Sequence, residues 1–142
     1  GVDGMLVRYA GCCDPVPGDA IIGYISHGRG LVVHTTDCPN VQNLEPQRLM
    51  TVSWDSEADR PHPAKLKIIC RNLPGMLSEI SSLLTREQIN IHSGDIRSHQ
   101  DGKSELNFQV EVQDSAHLYQ TIDKLQKLNH VIEVTRPTKK MK

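Results

Sequence analysis

No apolar run in the 142 residues approaches the roughly 20 that a helix needs to cross a bilayer, and no basic segment followed by a hydrophobic one opens the chain. A soluble cytoplasmic chain with no membrane partner is therefore expected. Net charge is −1, which gives no general attraction to nucleic acid. Aromatic residues are 4% of the chain, so there is little material for stacking bases. Also missing are a Gly-rich loop with lysine that would hold a nucleotide and the His-Asp grouping of a metal phosphohydrolase, for the seven histidines are scattered. Nothing in the sequence forms a catalytic constellation, and enzyme activity is not expected of this chain. Hydrophobic residues, at 37%, suffice for one modest core or two small ones. The sequence starts with Gly1 and enters structured-looking sequence at once, so it is expected to be a piece of a longer protein.

The near-neutral total hides an asymmetry. Residues 1–60 hold four Lys/Arg against eight Asp/Glu, and residues 61–142 hold twelve against nine, leaving −4 and +3. The character of the chain changes at "SWDSEADRPHPAK", where charges, Pro61 and Pro63 interrupt the hydrophobic pattern between Trp54 and Leu66. The expected organisation is a first domain over 1–57, a linker over 58–63, a second domain over 64–138 and a basic tail, "KKMK", over 139–142.

Strand and helix periods alternate clearly in the second half. "AKLKIICR" sets Leu66, Ile68 and Cys70 against Lys65, Lys67, Ile69 and Arg71, as a half-buried strand does. Met76, Leu77, Ile80, Leu83 and Leu84 then recur at helical spacing. "INIHSGDIRSH" and "SELNFQVEVQ" flank the Asp-Gly turn of a hairpin, with Leu106, Phe108, Val110 and Val112 on one face and Asn107, Gln109, Glu111 and Gln113 on the other. Asp114 or Ser115 is placed to cap a helix bearing Leu118, Ile122, Leu125 and Leu128, and "VIEVTRP" closes the domain as a strand. The order β-α-β-β-α-β is ferredoxin-like, and the fold class expected is α+β. Its open-face positions hold no aromatic residue, which disfavours base stacking there.

In the first half "AIIGYIS" and "LVVH" read as strands joined by the turn "HGRG", and "TTDCPNVQNL" as a helix start with Thr36 or Asp37 near the cap and Pro39 in the first turn. His34 and Cys38 are thereby brought near each other, and Cys12 with Cys13 can complete a tetrahedron of zinc donors from the earlier loop. Consecutive side chains point apart unless the backbone bends, and Pro15, Pro17 and Gly18 are placed to bend it. Packing of the cysteines as small hydrophobes, or exposed thiols in a free-standing redox-responsive protein, are the alternatives. Cys70 lies on the core face and is expected simply to pack.

The stretch "LVRYAGCCDPVPGDAIIGYISHGRGLVVHTTDCPN" resembles the conserved-cysteine, zinc-finger domain of RelA/SpoT-type (p)ppGpp synthetase/hydrolases, and the second half resembles their ACT domain, also described as RRM-like. The resemblance implies that Cys12, Cys13, His34 and Cys38 ligate a structural zinc. It implies a regulatory region of the stringent response whose parent is a GTP diphosphokinase, a ppGpp 3'-pyrophosphohydrolase or both. The implied partners are N-terminal catalytic domains and the ribosome, at large-subunit rRNA near the A-site tRNA, where Arg29 of "HGRG" is the RNA-contact candidate. The ACT resemblance implies a homodimer and amino-acid sensing, with a branched-chain amino acid held where "RNLPGMLSEI" turns from strand to helix, at Asn72, Gly75, Met76, Leu77 and Ser78.

Overall fold

The computed structural model describes residues 6–54 and 60–138; the expected tail over 139–142 and part of the joint lie outside the described residues. The first unit is a four-stranded sheet in the order β1-β3-β2-β4, built from Val7–Tyr9 (β1), Ile21–Ser26 (β2), Gly30–Thr35 (β3) and Leu49–Met50 (β4). β2 and β3 form the expected hairpin, with Ile21 opposite Thr35 and Ser26 opposite Gly30. Gly30 has φ 76°, and a Cβ there would run into the Leu6 carbonyl, so glycine is required where the turn meets the incoming chain.

The helix expected at "TTDCPNVQNL" is a single 3-10 turn, Pro39–Asn43, followed by another over Pro46–Arg48. Cys38, not Thr36 or Asp37, occupies the cap position, and no side chain caps it. The segment lacks an apolar stripe that would give a longer helix a face to bury; Val41 packs on the cysteines, and Pro46 starts the next turn.

The second unit runs His62–Arg71 (β5), Met76–Arg86 (α1), Asn90–Ser98 (β6), Lys103–Val112 (β7), Ser115–Gln126 (α2) and Val131–Thr135 (β8). Its sheet order, β6-β7-β5-β8 with antiparallel neighbours throughout, is the ferredoxin-like arrangement. β5 begins at His62, inside the stretch read as linker; β8 pairs only with Lys67–Cys70, so β5 is an edge at Pro63, where proline is tolerated. Leu66, Ile68 and Cys70 of β5 and Leu106, Val110 and Val112 of β7 meet Ile80, Leu84, Leu118 and Leu125 of the helices in one buried core. Leu77 departs from the expected stripe: one residue on from buried Met76 it has rotated off the core face and is 47% exposed. Asp114 caps α2, its carboxylate accepting the His117 N–H at 2.8 Å.

The two units are packed together through the loop between β1 and β2. Val16 of that loop is fully buried in the core of the second unit. The Ser115 N–H at the start of α2 donates to the Pro17 carbonyl at 2.7 Å. Arg136, just past β8, grips the Asp19 carboxylate with both terminal nitrogens, at 3.0 and 2.7 Å, and donates to the Asp14 carbonyl at 2.9 Å. Trp54 stacks on Tyr9 at 5.5 Å, His62 lies edge-on to both rings, and the indole N–H reaches the Asp19 carbonyl at 3.0 Å.

Candidate metal centre

Cys12, Cys13, His34 and Cys38 converge at the end of β3 opposite the hairpin turn, all four buried. The adjacent cysteines meet because residues 10–14 wrap into a tight turn: the Ala10 carbonyl accepts the N–H groups of both Cys13 and Asp14, and Asp14 sits in the left-handed region at φ 45°. The bend thus lies at the cysteines themselves, ahead of Pro15, Pro17 and Gly18, because one carbonyl gathers two consecutive amides.

The donor atoms lie within 4.8 Å of one another. Cys12 Sγ is 3.6 Å from His34 Nδ1, 3.6 Å from Cys38 Sγ and 4.0 Å from Cys13 Sγ, and Cys13 Sγ is 3.9 Å from His34 Nδ1. A tetrahedral zinc with Zn–S near 2.3 Å requires sulfur–sulfur edges of about 3.8 Å, so the donor set fits that ion in spacing and chemistry. The four cysteines are free thiols.

Burial also sets the protonation of the metal-free cluster. Burial pushes the Cys13 thiol up to about 12, raises that of Cys38 and lowers the His34 imidazole. Without a cation these groups stay neutral; as ligands the thiolates need a positive partner. The Thr35 N–H donates to Cys13 Sγ at 3.4 Å, supplying the outer support that metal thiolates use. A cavity of about 180 Å³ lined by Cys13, Asp19, Thr35, Asp37 and Arg136 borders the cluster, with its Asp19 carboxylate already paired to Arg136.

The remaining predicted site residues lie elsewhere. Arg29 is exposed in the turn joining β2 to β3, at the far end of β3 from His34, about 17 Å by strand rise. Arg48 joins it at that end: its Nε donates to the Ile25 carbonyl at 2.6 Å and its guanidinium lies over Tyr24. Asn72, Gly75, Met76, Leu77 and Ser78 stand together at the β5–α1 corner, with Gly75 as the helix cap at φ 88°. The Met76 N–H is not free for a ligand, since it donates to the Leu73 carbonyl at 3.4 Å. Cys70 is packed in the core, as expected.

Sequence reasoning missed Lys65, Asp14, Asp19 and Arg136. Lys65 lies on the face of β5 away from the core, where its ammonium donates to the Gly11 carbonyl at 2.7 Å and pairs with the Asp14 carboxylate. These partners are 51 to 122 residues apart in sequence, beyond the reach of any local pattern.

A buried cysteine–histidine cluster on a small sheet, docked to a ferredoxin-like α+β unit, defines a two-domain chain of the ACT class. The family model described as "RelA/SpoT RIS domain" matches residues 1–55 and that described as "ACT domain" matches residues 58–136. The chain is 35% identical over 136 residues to a GTP pyrophosphokinase of Myxococcus xanthus, covering 96% of this chain and 18% of that protein. It is 34% identical to the bifunctional (p)ppGpp synthase/hydrolase SpoT of Escherichia coli K12, covering 96% and 20%. The ACT domain from a GTP pyrophosphokinase of Chlorobium tepidum superposes on 54% of the chain with TM-score 0.49 and 25% identity, over 99% of that structure. The chain belongs to the RelA/SpoT family, of which it represents the RIS–ACT region, and it spans about a fifth of the length of these curated relatives.

Proposed function

We propose that this region is the non-catalytic regulatory part of a (p)ppGpp synthetase/hydrolase of the stringent response, and that it controls the catalytic domains of its parent through ribosome contacts. The observation that carries the reading is the convergence of all four donors in the RIS half of a RIS–ACT chain. Cys12, Cys13, His34 and Cys38 would hold a zinc ion, and four protein ligands leave no position for a substrate, so the ion's role is structural. A unit of this size has little interior, and a structural zinc contributes on the order of 10 kcal/mol to folding in comparable modules. Burial of Cys12 and Cys13 argues against the alternative of exposed redox thiols.

Arg29 is the residue offered to ribosomal RNA: it is exposed in the turn, Gly28 beside it leaves the backbone open, and Arg48 adds a second guanidinium at the same end of the sheet. Arg29→Ala in the full-length protein should weaken ribosome association roughly five- to tenfold and reduce the slope of log affinity against log salt by about 1. Equal affinity and slope in cosedimentation over a salt series would remove Arg29 from the contact. The amino-acid-sensing reading, with a branched-chain amino acid between paired ACT domains, has narrower support, because one of the three backbone donors it needs is already engaged.

A further inference from the structure

Both cysteines of the adjacent pair sit on a turn that the other domain holds in shape. The carbonyl just before Cys12, that of Gly11, accepts from Lys65 of β5, and the carbonyl just after Cys13, that of Asp14, accepts from Arg136 beyond β8. Lys65 also pairs with the Asp14 carboxylate, at the residue whose left-handed backbone closes the turn, a conformation aspartate adopts more readily than most non-glycine residues. Downstream, the same loop is fastened by Val16 in the ACT core, by the Ser115 N–H on Pro17 and by the Arg136–Asp19 pair, whose side chains are only 14% and 9% exposed. The ligand-bearing loop of one domain and the docking loop of the pair are therefore one segment.

We propose that the ACT domain completes the metal centre of the RIS domain: Lys65 and Arg136 act as positioning residues that preorganise the Cys12–Cys13 turn, so that zinc binding and docking of the two domains strengthen each other. The proposal rests on the metal reading above. Thermodynamic linkage makes the effect reciprocal: whatever loosens docking lowers zinc affinity, and removing zinc loosens docking. A change in zinc or thiol status would thereby reach the ACT domain without any ligand binding there.

Zinc affinity of the 142-residue chain, measured by competition with a chromophoric chelator, tests this. Lys65→Met and Arg136→Met should each weaken zinc tenfold or more, whereas Lys67→Met, two residues along the same strand and paired with Glu105, should stay within twofold of the parent. A change without altered charge separates docking from simple electrostatic attraction. Gly18 has φ 99°, where alanine is strained, and a Cβ there would also overlap Ser115 Oγ, so Gly18→Ala should weaken zinc through both effects, and the part that adding Ser115→Gly recovers is the part due to pushing the domains apart. Circular dichroism of each variant checks that the ACT domain stays folded; if Arg136→Met unfolds it, the Gly18→Ala and Ser115→Gly pair decides. Zinc affinities of Lys65→Met and Arg136→Met within twofold of the parent would overturn the coupling while leaving the metal site intact. Losses in those two with none in Gly18→Ala would also overturn it, leaving only a charge effect. A parent chain that takes up no zinc would overturn the metal reading and the coupling with it.

Discussion

Burial raises the Cys13 thiol from its ordinary 9.0 to about 12, and the thiols of Cys38 and Cys70 move the same way for the same reason. A folded-state value above the unfolded one means that the stability linked to the protonated thiol is fully present below pH 9 and is lost as pH climbs toward 12. The metal-free chain should accordingly melt at a lower temperature at pH 10.5 than at pH 8, and Cys13→Ala should flatten that decline. Melting points that fall equally in parent and variant would show that Cys13 does not carry the effect. Zinc reverses the dependence, because the ion binds the thiolate and competes with the proton: a zinc-loaded chain should lose metal as pH is lowered. The identities of the four candidate ligands were legible at this scale, since thiol and imidazole at those intervals suit one ion. Their outer support was not, because Lys65 and Arg136 come from another domain and no periodicity links them to Cys12 and Cys13.

At the scale of elements, the ACT half followed its sequence closely because its periods are long and its caps local. Ten residues of β5 alternate cleanly, Asp114 caps α2 as a short polar side chain before a helix should, and Leu118, Ile122 and Leu125 face the core. Leu118 is fully buried there, and Leu118→Ala should cost about 2–5 kcal/mol in chemical denaturation of the ACT unit, with less than 1 kcal/mol pointing to a site that collapses around the smaller side chain. The first half was less legible. β1 and β4 hold three and two residues, too few to display a period, and β1 finds its place only by pairing in parallel with β3. The helix read at Cys38 failed because proline at its start signals a turn as readily as a helix, and no apolar stripe follows to extend it.

For the whole molecule, neither domain alone accounts for the arrangement. The RIS sheet is short, and its buried cluster beyond the cysteines comprises Ala10, with Val32 and Val41 packed against it, whereas the ACT core is larger and takes in Val16 from its neighbour. The Arg136–Asp19 pair, with its guanidinium raised further above its ordinary range by Asp19 despite the opposing effect of burial, and the Tyr9–Trp54–His62 stack join the units on either side of the loop. Among the described residues no helix is long and apolar enough to cross a membrane. The central claim is that one cation, held by Cys12, Cys13, His34 and Cys38, fastens the smaller domain, and it is tested most directly by elemental analysis of the purified chain alongside thermal melting with and without chelator. The account predicts one zinc per chain, lost together in Cys12→Ser and Cys38→Ser, and an RIS transition that drops by 10 °C or more on chelation, on the order expected when several kcal/mol leave a small domain. A chain without stoichiometric metal, whose serine variants melt with the parent, would contradict it.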